Sequence, residues 1–498
     1  MKKTKQLIAS ILTFALAATA IAPITPVVQA FAETGGAQTS EIQTSSVQQP
    51  SIYAESAILV EADTGKVLFS KDEDKRMYPA SMTKILTSLI FLEYFEPNDI
   101  ITVGTEINDI SLDSSKAGHV VGESITAENL VRGLIIPSGN DSAAVVACAV
   151  ARKYSNDDSL SNTQCEQIFA ELMNKKAEEL GCTGSNFVNP HGYHDENHYT
   201  TASDMAKISI AGMQNETIKK IASEQSFSGN GLGSFQQDGL ESQDYNWTSH
   251  NLLITNSDYN YQYASGIKTG FTDEAGDCVA AYAEKDGVRL VAVVFNSEDP
   301  NRWIDAKNLF EYGFNNFGYF TINKAGDTVA TADLIYNKSD GGNTLDLIIN
   351  EEITLFLAKT EVGSLKTNIN VTATDLIAEK QNEDSSSENT VPVLKAPISK
   401  DAEIGTISYV SQDGTVLAET QIYSSRDVEK ANIFLRMWYN IKTFVSNFIE
   451  NINIIKVVII ILVIIIIILL IKILKGRRNR NRYTYSRPKY KYRKRRRF

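Results

Sequence analysis

Ser81 and Lys84 stand three residues apart in Ser81-Met82-Thr83-Lys84, just after Pro79. If this stretch opens a helix, the two side chains share one face and can touch. A serine hydroxyl is a poor nucleophile at neutral pH until a neighbouring base takes its proton. A lysine can be that base once burial or nearby cations lower its pKa. Four residues alone say little, because Ser-x-x-Lys arises by chance about once or twice in a chain of this length. Two later tripeptides supply partners. Ser138-Gly139-Asn140 follows Pro137 and precedes a helical run. Lys268-Thr269-Gly270 closes a short strand-like stretch from Ala264 to Ile267.

Ser-x-x-Lys, Ser-x-Asn and Lys-Thr-Gly, in that order, resemble the signature of penicillin-binding proteins and class A β-lactamases. The middle element, Ser138-Gly139-Asn140, resembles the low-molecular-weight penicillin-binding proteins, the D-alanyl-D-alanine carboxypeptidases of the serine S11 type. The likeness runs from about Tyr53 to Phe317, with flanks Tyr78-Pro79-Ala80 and Gly266-Ile267-Lys268-Thr269-Gly270-Phe271-Thr272. It implies Ser81 as nucleophile, Lys84 as general base, Ser138 as proton relay and Asn140 as a bridge between substrate and Lys84. Lys268 and Thr269 then hold a terminal carboxylate, and Gly270 lets the substrate strand lie close. The implied oxyanion hole is the backbone N–H of Ser81 and of Phe271. The implied partners are peptidoglycan stem peptides and β-lactams, with no metal and no organic cofactor.

Elements must bring these three motifs to one cleft. The implied fold is α/β (α+β), the penicillin-binding/β-lactamase-like transpeptidase fold, with a five-stranded antiparallel sheet flanked by helices and an inserted helical part carrying Ser138. The local pattern agrees. Asp63-Thr64-Gly65 and Asp286-Gly287 read as hairpin turns. Thr126 to Ile135 reads as a capped helix, Gln164 to Leu180 as an amphipathic helix ending at Gly181, and Asn301 to Phe317 as the closing helix. The catalytic domain spans 53–320. Alternating stretches at Thr344 to Asn350, Thr367 to Thr372 and Thr415 to Tyr423 predict a small all-β domain over 321–425, with Gln381 to Thr390 as a polar insertion.

The ends of the chain set a compartment. Residues 1–32 read as a signal peptide: Lys2, Lys3 and Lys5, then an apolar run from Leu7 to Ala22, then small residues at Ala30 and Ala32. A flexible leader fills 33–52. Residues 426–451 predict an amphipathic juxtamembrane helix, with Phe434, Trp438, Ile441, Phe444, Val445 and Phe448 at helical spacing. Residues 452–474 are almost wholly Ile, Val and Leu and predict a C-terminal transmembrane helix. The tail 475–498 holds 13 Lys and Arg and no acid. The chain's net charge is −12, so everything before the tail sums to −25. The positive-inside rule puts the tail in the cytoplasm and the catalytic body outside a single-pass plasma-membrane anchor. Tyrosines among the tail cations suggest nucleic acid, but a stop-transfer tail on anionic lipid suits the preceding span better, and no nucleic-acid partner is expected.

His191, His194, Asp195 and His198 have metal-like spacing but read as a polar loop, whose Gly192 borders the cleft. Cys165 and Cys182 bracket one predicted helix, roughly 25 Å apart, beyond the reach of a bridge. Cys148 and Cys278 read as small core residues, and no disulfide is required. Two rivals remain. A class A-like β-lactamase is disfavoured by the Ser-Gly-Asn middle element, the trailing β domain and the anchor. A non-catalytic cell-wall scaffold is disfavoured by the intact Ser81, Lys84, Ser138 and Lys268.

Overall fold

A computed structural model describes residues 48–235, 239–338, 342–378, 391–450 and 454–480. The signal peptide, most of the leader, the 381–390 insertion and the end of the basic tail lie outside the described residues.

The chain opens with the hairpin β1 (Ser56–Glu61) and β2 (Val67–Lys71), then a 3-10 turn, Ala80–Thr83, leading into α1 (Lys84–Tyr94). The short pair β3 (Ile100–Thr102) and β4 (Ser124–Thr126) encloses the loop that faces the cleft. Helices α2 (Ala127–Ile135), α3 (Asn140–Ser155), α4 (Asn162–Glu179), α5 (Ala202–Gln214) and α6 (Glu216–Ala222) follow. Next come the hairpin β5 (Ser226–Asn230) and β6 (Asp244–Thr248), then β7 (Ala264–Thr272), β8 (Gly276–Lys285), β9 (Val288–Ser297) and α7 (Asn301–Asn316).

The expected caps form: Thr126 accepts from the Asn129 N–H, and Gly181 at φ +71° ends α4. Ser161 with Gln164 adds a capping box at the start of α4 that the sequence reading did not include. The main sheet is antiparallel, in the order β2-β1-β9-β8-β7, so β7 is an edge strand. Side chains alternate across it. Ile58, Val60, Val291 and Val293 join a core with α1, α2 and α3, whereas Ala57, Leu59, Ala292 and Val294 pack against Trp303, Leu309 and Phe310 of α7.

Two expectations about the motifs need correction. Ser81 lies in the 3-10 turn, and only Lys84 begins the α-helix. The 3-10 geometry eclipses residues i and i+3, which is a tighter way to bring Ser81 to Lys84. Lys268-Thr269-Gly270 does not end a strand but sits inside β7, with Gly270 opposite Cys278 of β8.

A second body follows: β10 (Phe317–Asn323), β11 (Thr328–Ile335), β12 (Thr344–Ile348), β13 (Ile353–Ala358), β14 (Lys366–Val371), β15 (Leu394–Lys395), β16 (Glu403–Val410) and β17 (Val416–Ser424). Strand β10 begins at Phe317, ahead of the expected domain start, and pairs with β13. The other six strands form one sheet, β14-β16-β17-β12-β11-β15. Two helices end the described chain, α8 (Ile433–Glu450) and α9 (Ile454–Arg480). No helix among the described residues is long and apolar enough to cross a membrane, so the expected span over 452–474 is not borne out by them.

Candidate active site

The three motifs converge on a cleft of about 580 Å³, lined by Ser81, Ser138, Asn140, Gly192, Thr269, Gly270 and Phe271 among others. At its floor Lys84 is fully buried. Its Nζ lies 2.8 Å from Ser81 Oγ, 2.7 Å from Asn140 Oδ1 and 2.8 Å from the His191 carbonyl. Two of these partners, an amide oxygen and a carbonyl, can only accept. As an ammonium Lys84 can donate to all three; as a neutral amine it keeps its two N–H bonds to Asn140 and His191 and can turn its lone pair toward the Ser81 hydroxyl. Burial first, and the Lys268 cation second, hold the Lys84 pKa well below its usual value, with Asp141 opposing. A shift in that direction favours the neutral amine that a base needs.

Lys268 is also buried, and its own pKa falls to about 7 through burial and the Arg302 cation. Its Nζ donates to the Thr269 carbonyl at 3.1 Å. Arg302, on the first turn of α7, lines the cleft and pairs with Asp277 at 2.7 Å. The sequence motifs gave no sign of Arg302, because it arrives from a distant helix.

The Ser138 turn has φ +63°, in the left-handed region, which costs about 1–3 kcal/mol for a non-glycine residue. Neighbouring bonds hold it: Gly139 N–H donates to the Gly133 carbonyl at 2.8 Å and Asn140 N–H to the Ser115 carbonyl at 2.9 Å. Among the described residues the Ser138 hydroxyl makes no hydrogen bond to Ser81 or Lys84; it lines the cleft with Ser81.

Gly270 was expected to make room for substrate. A Cβ there would sit 2.8 Å from the Pro79 carbonyl oxygen and 3.1 Å from the Ala80 Cβ. The missing side chain thus lets β7 close on the Ser81 turn. Gly192 does the same from the other side, where a Cβ would come 1.8 Å from the Ala80 carbonyl oxygen.

The loop 189–198 is the part that sequence reasoning undervalued. Asn189 Oδ1 accepts from the Gly192 N–H at 2.7 Å, fixing the turn that offers the His191 carbonyl to Lys84. His198 Nδ1 accepts from the Val188 N–H, so its proton is on Nε2, which donates to Thr83 Oγ1 at 2.8 Å. Burial pushes His191 and His198 both down to about 3. His194 instead faces Glu274 at 3.7 Å. Among the described residues, no group of His, Cys, Asp or Glu is placed to hold a metal ion. All four cysteines are free and buried, and Cys148 packs against Cys165 rather than standing alone in its helix.

Residues 43–299 match the family described as D-alanyl-D-alanine carboxypeptidase. The chain belongs to this family. Residues 317–430 match the C-terminal domain of penicillin-binding protein 5. The chain is 30% identical over 415 residues to the D-alanyl-D-alanine carboxypeptidase DacF of Bacillus subtilis, covering 82% of this chain and 92% of that one. It is 27% identical over 427 residues to the DacA carboxypeptidase of Escherichia coli K12, covering 83% and 93%. Among solved structures, penicillin-binding protein 5 of Haemophilus influenzae aligns with a TM-score of 0.53 and 26% identity, over 77% of this chain and all of that one. The fold is thus the mixed α/β penicillin-binding type with a trailing β domain.

Proposed function

We propose that this carboxypeptidase removes the terminal D-alanine of peptidoglycan stem pentapeptides through an acyl-enzyme at Ser81. The observation that carries the reading is the buried Lys84 amine 2.8 Å from Ser81 Oγ, with its other two polar contacts to acceptors only.

The peptide's terminal carboxylate sits at Lys268 and Thr269, with the Arg302 charge behind them. Lys84 takes the Ser81 proton as the oxygen attacks the carbonyl carbon of the D-Ala-D-Ala bond. The backbone N–H groups of Ser81 and Phe271 receive the oxyanion, each worth roughly 3–4 kcal/mol of barrier. Ser138 passes the proton to the leaving amine, D-alanine departs, and water then splits the ester. β-Lactams imitate the D-Ala-D-Ala unit and are trapped at Ser81.

The same reading places the catalytic body outside the cell. Helix α8 exposes Phe434, Met437, Trp438, Ile441, Phe444 and Val445 along one side, as an interfacial helix would. The sequence of α9 is apolar from Ile454 to Leu474 apart from two lysines near its ends, and cations follow it. We take residues 452–474 as the span, 475–498 as a cytoplasmic tail and 1–32 as an export signal.

Incubating the full-length protein with a stem pentapeptide tests the assignment. Wild type releases D-alanine and Ser81→Ala does not; release by the alanine variant refutes it. A long-lived adduct with fluorescent penicillin accompanies the carboxypeptidase, whereas fast β-lactam turnover points to a β-lactamase and absent labelling to a scaffold.

A further inference from the structure

Behind the Ser138 turn runs a second polar chain that the reaction above does not use. Ser142, on the first turn of α3, meets His119 Nε2 at 2.8 Å. His119 Nδ1 faces Glu123 Oε1 at 2.7 Å and the Tyr245 hydroxyl at 2.9 Å. Glu123 also accepts from the Tyr245 hydroxyl and, at 2.8 Å, from Gln243 Nε2. Ser142, His119, Glu123 and Tyr245 are all buried. Serine, histidine and carboxylate in that order make a nucleophilic triad when the serine is open to substrate. Ser142 is 0% exposed, so no carbonyl reaches it. The chain's effect must be on geometry.

The geometry in question is that of the Ser138-Gly139-Asn140 turn. Two sets of bonds join the loop 115–119 to residues 140–142. Asp141 accepts from the N–H groups of Ala117 at 2.7 Å, Gly118 at 2.8 Å and His119 at 3.2 Å. The loop answers through the Ser115 carbonyl to Asn140 and through the His119 ring to Ser142. Space has been left for this. A Cβ at Gly133 would lie 2.4 Å from Ser142 Oγ, and one at Gly139 would lie 2.8 Å from it. The far end is anchored too, because Tyr245 stacks on Trp247 and the Trp247 indole donates to the Ala117 carbonyl at 2.9 Å. The clamp therefore ties the β5/β6 hairpin to the strained Ser138. The clamped loop also brings Asp113, Ser114 and Ser115 to the cleft wall.

We infer that His119 is a positioning residue for D-alanine release. Through Ser142, and braced by Glu123 and Tyr245, it holds the turn that presents Ser138 to the cleft and sets the Asn140 carboxamide against Lys84. Carboxylate capture belongs to β7, so the clamp acts on turnover more than on carboxylate affinity. The inference rests on the carboxypeptidase reading.

Full-length wild type, His119→Leu, His119→Gln and the double variant His119→Leu/Ser142→Ala are compared in D-alanine release from a stem pentapeptide. Displacing a proton-transfer group by about 1 Å can cost on the order of 100-fold. The Leu variant is expected to lose about 10- to 100-fold in kcat with KM nearly unchanged. Gln can restore a polar contact to Ser142 and should recover most of that loss. The double variant removes both ends of the Ser142 bond, so it should regain thermal midpoint but not kcat. Unchanged kcat in His119→Leu overturns the inference. So does a Gln variant as slow as Leu, or a loss that only tracks the fraction of chains still labelled by fluorescent penicillin. A wild type that releases no D-alanine would instead sink the carboxypeptidase reading itself.

Discussion

The catalytic domain and the β domain bury different things. Around the cleft, Lys84, Lys268, Glu123 and Asp141 are all withdrawn from water, and Ser138 holds a strained backbone. Among the described residues of 317–430, no Lys, Arg, Asp or Glu is buried; the interior is Leu345, Leu347, Leu355, Ile404, Ile407 and their neighbours. One body carries the cost of buried charge and gains a poised nucleophile. The other buries only neutral groups, mostly apolar, with Asn337, Thr420 and Ser424 among them. Chemical competence is thereby confined to the first body, and the core of the second can be perturbed without touching the cleft.

The largest break comes from Lys84→Met. Acylation by fluorescent penicillin should fall at least about 1000-fold, because Ser81 loses its base. The thermal midpoint should hold or rise, because a methionine needs no hydration and the unfolded chain no longer gains by protonating a lysine. Parallel collapse of labelling and midpoint would mean that Lys84 holds the fold, and the contrast between the two bodies would be lost.

The next effect follows from Lys268. It must be charged to hold a carboxylate, and burial with the Arg302 cation lowers its pKa to about 7. Above that pH, kcat/KM for the peptide should drop about tenfold per pH unit, since this ratio reports the free enzyme. In kcat the same limb should move to higher pH, because the bound carboxylate stabilises the ammonium. On the acid side, activity should fall as Lys84 gains a proton. Stability runs the opposite way to capture. The unfolded chain keeps the Lys268 proton up to about 10.4. The folded penalty is therefore complete below about pH 7 and disappears as pH rises toward 10.4. A thermal midpoint that falls between pH 7 and 9 while kcat/KM stays level would contradict both signs.

Gly192→Ala should have a smaller effect on rate. The new Cβ must push the Ala80 carbonyl or the loop away, at about 1–3 kcal/mol in stability, and the His191 carbonyl moves with the loop. We expect kcat down roughly tenfold, with carboxylate affinity retained. A change confined to KM would show that this loop serves binding instead.

How far the sequence disclosed this site depends on the kind of atom involved. Ser81, Lys84, Ser138, Asn140, Lys268 and Thr269 were legible because side-chain chemistry fixes residue type and the motifs fix spacing. The His191 carbonyl was not, since any residue supplies a backbone oxygen and only the Asn189–Gly192 turn aims it. Arg302 and His119 were missed because neither belongs to one of the three motifs, and only the folded chain brings the α7 start and the 115–119 loop to the site. The hairpins at Asp63 to Gly65 and Asp286-Gly287 were readable from turn chemistry, and α4 from its cap. The 3-10 start of the Ser81 segment was not readable, because the hydrophobic pattern of one turn does not separate i+3 from i+4 bonding. The pairing of β10 with β13 was equally hidden, since alternation reveals a strand but not its partner.

The smallest effect on catalysis is expected from the β domain. Leu347 is fully buried in its core, so Leu347→Ala should cost about 2–5 kcal/mol there. No bond from Leu347 reaches the cleft, and D-alanine release at 25 °C should stay within twofold of wild type, a margin of about 0.4 kcal/mol. Phe356 offers the control. It sits on β13 of the β domain, yet it packs in the α7-side core of the catalytic domain and stacks on Phe317 at 6.1 Å. Phe356→Ala should therefore lower the stability of both bodies, about 3–5 kcal/mol in all. Loss of fluorescent-penicillin labelling on heating reports the cleft, and protease cleavage after heating reports the β domain. In Leu347→Ala the second should occur at a lower temperature than the first; in Phe356→Ala the two should fall together. If Leu347→Ala drags labelling down with it, then β10 and β13 transmit unfolding across the boundary, and the two bodies form one cooperative unit.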